Sequence, residues 1–367
     1  MLTVAAVTRM KGAPFELREV ELDTLRPDEV LVRMRAVGIC HTDIAHRDGA
    51  AHFELPAVLG HEGAGVVVAT GKDVSHLSIG DKVVMSYFAC RSCPNCRQHR
   101  PAYCAQSFAG NFAGTRPDGS RTIWLEGQEI SSAFFGQSSF ARHAIVAAKG
   151  AVKVGDDVPL ETLAPLGCGF QTGAGAVLNT LALKAGASIA VFGAGAVGLS
   201  AIMAAKAVGA GRILAVDLDE GRLELARELG ASDTYLGDQP DLVRTIRKAT
   251  GGGVDAAVEC VGSPAVLAKA FGVLVQGGAC VMLGLPPRGA EVSVDMNALL
   301  SGRRLIGSIE GDADPQTFIP RLIDMHRRGL FPFERLLRFY PFEAINEAVA
   351  DMEAGRTVKP VLLMPED

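Results

Sequence analysis

Four cysteines fall within fifteen residues as Cys90-x2-Cys93-x2-Cys96-x7-Cys104, in a stretch rich in Pro, Arg and Asn with no apolar run of its own. Four thiolates at such short spacing can close a tetrahedral shell round a zinc ion and leave no position for a ligand, which is structural chemistry rather than catalysis. A redox dithiol or an iron–sulfur cluster would use the same residue type, but the stretch has neither a βα redox context nor a ferredoxin spacing. A second set is dispersed: Cys40 in Gly-Ile-Cys-His-Thr-Asp, His61 in Gly-His-Glu, and Cys168 in Pro-Leu-Gly-Cys-Gly. Taken singly, each reads as a buried thiol or a core histidine. Taken together, two thiolates and one imidazole form a shell whose fourth position is open to water or an alcohol oxygen.

A third signature binds nucleotides. Gly193-Ala-Gly195-Ala-Val197-Gly198 follows an apolar stretch, 188–192, and opens a helix-length amphipathic segment over 195–208. In that context the first glycine permits a tight turn, the second lets backbone N–H groups approach a pyrophosphate, and the third allows close helix–strand packing. Asp217 lies 19 residues beyond Gly198, at the end of the next apolar stretch. A carboxylate there can accept hydrogen bonds from both adenosine ribose hydroxyls and repel a 2′-phosphate, so NAD is expected rather than NADP. Arg222 nearby softens that preference; a plain strand-end cap is the other use of Asp217.

These residues need two kinds of scaffold. From residue 4 to about 154 the chain reads as short β-branched runs, such as 29–35 and 65–69, broken by Gly, Pro and Asp turns, which predicts a mostly antiparallel β region. Between 188 and 285 strand-length apolar runs (188–192, 212–216, 254–259, 279–283) alternate with helix-length segments (195–208, 220–229, 264–275). That alternation predicts a doubly wound parallel sheet, an α/β fold. After residue 310 a helix over 315–328 and a strand over 358–364 are expected to rejoin the first domain. With no flexible linker, the domains should share a fixed cleft, where small ligands usually bind.

The 367 residues, 48% hydrophobic and 21% charged, suit a globular chain of two domains. A net charge of −5 offers no general attraction to nucleic acid or an anionic membrane. The first eleven residues lack the features of a secretory signal, so a cytoplasmic protein is expected, and no apolar run is long enough to span a bilayer. In a reducing compartment eight cysteines serve as ligands, nucleophiles or core residues rather than disulfides.

In this order the motifs resemble the zinc-containing medium-chain dehydrogenase/reductase superfamily over essentially the whole chain. Three segments resemble its bacterial aryl-alcohol and allylic terpene alcohol dehydrogenases: Phe134-Phe-Gly-Gln-Ser-Ser-Phe, Gly167-Cys-Gly-Phe-Gln-Thr-Gly-Ala-Gly, and Gly311-Asp-Ala-Asp-Pro-Gln-Thr-Phe-Ile-Pro. The resemblance implies a GroES-like, mostly β catalytic domain over 1–169 and 310–367, carrying the zinc lobe at 90–104, and a Rossmann domain binding NAD over 170–309. It implies two zinc ions per chain: a catalytic one held by Cys40, His61 and Cys168, and a structural one held by Cys90, Cys93, Cys96 and Cys104. Thr42 would bind the substrate oxygen and start a proton relay, Asp43 would orient His61, and Glu62 would lie behind the metal. Gly193, Gly195, Val197, Gly198, Asp217 and Arg222 would meet the cofactor, and His41 and Lys359 would face its pyrophosphate. Phe134, Phe135, Leu285 and Ile309 would wall the substrate pocket.

The implied reaction is oxidation of a primary aromatic or allylic alcohol, of the benzyl alcohol or geraniol kind, to its aldehyde. Zinc makes the alkoxide accessible and a hydride passes reversibly to the nicotinamide. Other alcohols, such as a short aliphatic one or S-hydroxymethylglutathione, fit the same residues. The resemblance also implies a homodimer or homotetramer, through edge strands of the nucleotide domain. One departure stands out: animal relatives end their proton relay on a histidine where this chain has Ala45, so either His46 or water must carry the proton. Glu310, beside the pocket residues, has no evident role. A zinc-bearing nucleic-acid binder is opposed by the acidic balance, and a non-catalytic NAD-binding protein by the second cysteine and histidine set together with Thr42.

Overall fold

The computed structural model of the protein describes residues 1–49 and 53–365. Within these the chain divides into two compact units: Met1–Cys168 with Asp314–Asp324 and Glu334–Asp367, and Gly169–Ala313 with Met325–Phe333. Residues 310–313 and 325–333, assigned from sequence to the first domain, thus cluster with the second. The reason is local: Gly311 packs so closely on the helix Gly169–Gly175 that a Cβ at Gly175 would lie 2.4 Å from the Gly311 carbonyl oxygen.

Among the described residues, the first unit carries two sheets of short strands, most of them paired antiparallel. The central strand Glu29–Gly38 shows why. Val30, Val32, Met34 and Ala36 are buried while Leu31, Arg33 and Arg35 alternate toward the other face, the period-two pattern of a sheet packed on one side. Its neighbours are Glu62–Thr70 and, from the far end of the chain, the strand Lys359–Leu363, which pairs antiparallel at Val361 with Gly38. The returning strand therefore does rejoin this unit.

The second unit carries a six-stranded sheet among the described residues, in the order Asp233–Leu236, Arg212–Asp217, Ser188–Phe192, Val254–Glu259, Leu274–Met282, Arg304–Gly307, all parallel. Ile189 to Phe192 are buried without alternation, as strands covered on both faces require. The chain order reverses between Ser188–Phe192 and Val254–Glu259, the switch point where open α/β sheets bind ligands.

Three sequence-based expectations need correction. The helix Ala196–Ala207 is not amphipathic: Gly198 through Ala205 are buried consecutively, so it is covered all round rather than on one stripe. The segment expected as helix to residue 275 ends at Gly272, and the strand after it starts at Leu274 rather than 279. The strand Asp233–Leu236 and the helix Leu242–Ala249 were not foreseen. The first is a half-buried edge strand of only four residues; the second is a short charged helix whose buried Leu242 and Ile246 recur at the i, i+4 spacing of one helix face, the signal the sequence did offer. No helix among the described residues is long and apolar enough to cross a membrane.

Candidate active site and metal centres

The dispersed cysteine and histidine set converges in the first unit. Cys40 follows the end of Glu29–Gly38 and caps the helix His41–Arg47. His61 immediately precedes the strand Glu62–Thr70, and Cys168 ends the turn Ala164–Gly167. Each of Cys40, His61, Glu62 and Cys168 brings a ligand atom within 4.8 Å of the others. Buried Asp43 aligns two of them: one carboxylate oxygen accepts from the Cys40 N–H at 3.0 Å, the other from the Gly60 N–H at 3.1 Å and from His61 Nδ1 at 2.8 Å. With Nδ1 so used, Nε2 is the atom left to bind a cation, and it is buried with no hydrogen-bond partner among the described residues.

An orphaned imidazole nitrogen beside two thiols is a site prepared for a soft or borderline cation, and the donor set fits zinc. The electrostatics agree. The Cys168 sulfur, then His61 and Lys359, hold the Cys40 thiol well below its ordinary range against the upward push of burial. Burial presses His61 down, but Asp43 and Cys40 outweigh it and leave its pKa well above the ordinary value.

Behind this set lies a buried ion pair. Lys359 Nζ donates to both Glu62 oxygens at 2.9 Å and to the Ile39 carbonyl at 3.1 Å. At 2% exposure, its charge is spent on Glu62, a correction to the expectation that it serves a cofactor pyrophosphate. Gly38 makes room for the carboxylate: a Cβ there would stand 2.1 Å from Glu62 Oε2. His41 is exposed and Thr42 half-buried, with the Thr42 hydroxyl 3.6 Å from the Cys40 sulfur.

Aromatic rings pack against His61. Phe135 stacks on His61 with centroids 4.4 Å apart and Phe134 meets it edge-on at 5.5 Å. Phe134 has no exposed surface and packs among Phe53, Phe112 and Phe135; it is a backing layer rather than the pocket wall expected. The same cluster encloses His46, whose ring stacks on Phe112 and whose Nδ1 donates to the Thr42 carbonyl at 2.7 Å. Burial lowers the His46 pKa, and the ring's enclosure by Phe53, Phe112 and Phe134 leaves it poorly placed to relay protons.

The four clustered cysteines converge equally well, with sulfurs within 4.8 Å of one another. Backbone N–H groups point at them: Cys90 at Cys104 Sγ (3.2 Å), Cys93 at Cys90 Sγ (3.3 Å), Ala105 at Cys93 Sγ (3.4 Å) and Gln106 at Cys104 Sγ (3.4 Å). Such donors favour thiolates, the form that binds metal: the Cys90 thiol is lowered to about 6 by donors at Ser92 and Cys93 that outweigh its burial, whereas burial pushes Cys104 up and Cys96 up to about 12.

In the second unit the glycine fingerprint sits at the carboxyl end of Ser188–Phe192. Gly193 has φ +96, and a Cβ on Gly198 would lie 1.8 Å from the Gly193 carbonyl oxygen, so both must be glycine. Asp217 accepts from the Ala194 N–H at 2.5 Å and the Asp219 N–H at 3.0 Å, which ties the next strand to the glycine turn. The Arg222 guanidinium stands 3.9 Å from where a Gly195 Cβ would be, and Val197 is half-buried at the helix start.

The comparisons with known proteins fit this geometry. Residues 26–156 match the alcohol dehydrogenase GroES-like domain and residues 196–326 the zinc-binding dehydrogenase domain. The chain is 47% identical to geraniol dehydrogenase of Castellaniella defragrans, over 98% of this chain and 97% of that one. It belongs to the zinc-containing medium-chain alcohol dehydrogenases. The crystal structure of an alcohol dehydrogenase zinc-binding domain protein from Burkholderia ambifaria aligns over 100% of both chains, at 49% identity and a TM-score of 0.97. That of benzyl alcohol dehydrogenase from Acinetobacter calcoaceticus also covers 100% of both, at 43% and 0.96.

This alcohol dehydrogenase holds further features that sequence patterns did not single out. Leu218 and Val261, 72% and 53% exposed, each follow within two residues of a sheet strand's carboxyl end, beside the glycine turn. Solvent-facing apolar side chains at a switch point suit the faces of an adenine ring; their position just after Asp217 and Glu259 was the available signal. Leu285 and Ile309 are also exposed apolar residues of this unit. Glu310 now has a physical account. Glu310, Gly311 and Asp312 are three successive left-handed residues (φ 52, 65 and 52), a costly run. The Glu310 carboxylate anchors it by accepting from Gln171 Nε2 at 2.9 Å and Thr172 Oγ1 at 3.3 Å, while Asp312 accepts from Thr180 at 2.8 Å.

Proposed function

We propose that the enzyme oxidises primary aromatic and allylic alcohols, of the benzyl alcohol and geraniol kind, to their aldehydes, reversibly and with NAD. The observation that carries this reading is the Phe135 ring lying flat on His61 at 4.4 Å, which lays aromatic surface beside the proposed metal shell. The names of the Castellaniella and Acinetobacter relatives support the same class.

In this reading Cys40, His61 and Cys168 hold the catalytic zinc, Glu62 stands behind it, and Cys90, Cys93, Cys96 and Cys104 hold the structural one. Zinc in the open shell supplies Lewis acidity that lowers an alcohol's pKa toward neutrality, and NAD supplies the hydride acceptor. The chain's own residues do the rest. Asp43 fixes the His61 tautomer, and Thr42 Oγ1 accepts the hydrogen bond of the substrate hydroxyl and, as it takes that proton, releases its own hydroxyl proton onward to water. Gly193, Gly195 and Gly198 admit the pyrophosphate, and Asp217, with an Oδ turned toward the glycine turn, selects the ribose hydroxyls of NAD.

Initial rates of reduced-cofactor formation on benzyl alcohol, geraniol, ethanol and S-hydroxymethylglutathione, each with NAD and NADP, test this. We expect kcat/KM on the first two to exceed that on ethanol by at least about 100-fold, the worth of burying a large apolar tail. Preference for ethanol or the glutathione adduct would reject the substrate class, and preference for NADP would reject the role of Asp217. The proton's onward route is a separate expectation. His46→Leu should leave the shape of the pH–turnover profile unchanged, because a buried ring enclosed by phenylalanines has no path to solvent for a proton; loss of an ionisation from the profile would restore His46 to the relay.

A further inference from the structure

The three arms of the open shell arrive from separate elements, and Asp43 ties only two of them, Cys40 and His61. We propose that Gln137 is the positioning residue that ties the third, holding the His61 and Cys168 arms at a fixed separation. The inference rests on the assignment of Cys40, His61 and Cys168 as the catalytic metal shell.

Gln137 is 1% exposed, and its amide joins backbone groups from both sides. Its Nε2 donates to the His61 carbonyl at 2.9 Å and to the Ser86 carbonyl at 3.3 Å, while its Oε1 accepts from the Gly63 N–H at 3.2 Å. Ser86, also 1% exposed, passes the connection on: its Oγ donates at 2.6 Å to the carbonyl of Gly167, the residue before Cys168. A continuous chain of hydrogen bonds thus runs from the backbone of one ligand to the backbone next to another, through side chains that never touch the metal.

The segment bearing Gln137 is shaped for this purpose at a cost. Ala133, Phe135 and Ser138 all have positive φ (56°, 52° and 49°), a conformation that disfavours residues with a Cβ. Strain of that kind persists only where surrounding contacts over-determine it. Here Ser139 N–H donates to the Gly60 carbonyl at 2.9 Å and Phe140 N–H to the Leu59 carbonyl at 3.0 Å, which pins the segment along the approach to His61. The same segment lays Phe135 on the imidazole. Ring and backbone of His61 are therefore both held by residues 135–140, opposite the hold that Asp43 exerts through Nδ1.

The test uses the full-length, zinc-loaded enzyme with Gln137→Met, Ser86→Ala and the double variant, challenged with the chromogenic chelator 4-(2-pyridylazo)resorcinol. Gln137→Met keeps the volume and removes the hydrogen bonds; Ser86→Ala breaks the chain at its other end with a smaller change, and carries the test if the first variant folds poorly. In each variant the less tightly held zinc should leave about 10–100-fold faster, the range for a lost partner behind a metal ligand, while release of the four-cysteine zinc stays at the parent rate. Because both substitutions cut one chain, the double variant should release little faster than the worse single one. Unchanged release, acceleration of both zinc ions in step with a lowered melting temperature, or single effects that simply multiply would overturn the proposal. A parent that binds one zinc would instead overturn the metal assignment on which it stands.

Discussion

Replacing Cys40 by serine is expected to remove one of two zinc ions per chain and to lower kcat/KM for alcohol oxidation by at least about 1000-fold, since a Lewis acid at the reacting oxygen is worth several kcal/mol. The cause lies in the shell. Without the Cys40 thiolate the open set keeps only the Cys168 sulfur and the His61 imidazole as soft or borderline donors, too few to hold a zinc ion. The helix His41–Arg47 should survive, because the residue 40 N–H still donates to Asp43 and a serine hydroxyl can replace the sulfur as acceptor in the capping box. Zinc content by atomic absorption, circular dichroism and initial rates would be measured together. Parent-level activity with both zinc ions retained would sink the assignment of Cys40; loss of both zinc ions with loss of fold would show that the two centres are not independent.

Lys359→Met is expected to cost about 3–5 kcal/mol of unfolding free energy at neutral pH, the penalty for stranding one member of a buried ion pair. Glu62 is wholly buried and Lys359 nearly so, and Lys359 meets both carboxylate oxygens at 2.9 Å. The sign of the pH dependence follows. Burial already raises the folded-state pKa of Glu62, with Lys359 pulling it back down. Without Lys359 the folded-state value rises further above the unfolded one, so stability is lost as pH rises through that window and is regained as pH falls and Glu62 takes a proton. The deficit should therefore shrink on going from pH 8 toward about 5, and Glu62→Gln in the same chain should restore part of it. Denaturant unfolding at several pH values would decide: a loss under about 1 kcal/mol, or one independent of pH, would mean the pair contributes little.

Much of this was legible before any coordinates. The glycine fingerprint, the strand before it and Asp217 form a contiguous pattern whose steric logic is local: Gly198 must lack a Cβ because it meets Gly193, five residues away. The four cysteines within fifteen residues are likewise a short-range statement, since the loop that joins them is too short to send them elsewhere. The resemblance to the zinc-containing alcohol dehydrogenases extended that reading to Cys40, His61 and Cys168, which are separated by up to 128 positions and have no local rule to unite them.

What the sequence could determine by itself was therefore the chemistry of short segments: which residues can ligate, which turn can admit a pyrophosphate, which stretches alternate as strands and which as helices. Only the tertiary structure decided how distant groups share their charges and hydrogen bonds. Lys359, a cofactor contact by position, is paired with Glu62 across 297 residues; His46, a candidate proton carrier by type, is walled in by Phe53, Phe112 and Phe134. Gln137, which the sequence offers only as part of a resembling segment, bridges His61 and Ser86 through its amide. The physical reason is common to all three. A buried polar group must be satisfied by whatever the fold places next to it, and that neighbour is set by strand pairing over long separations rather than by the residues on either side.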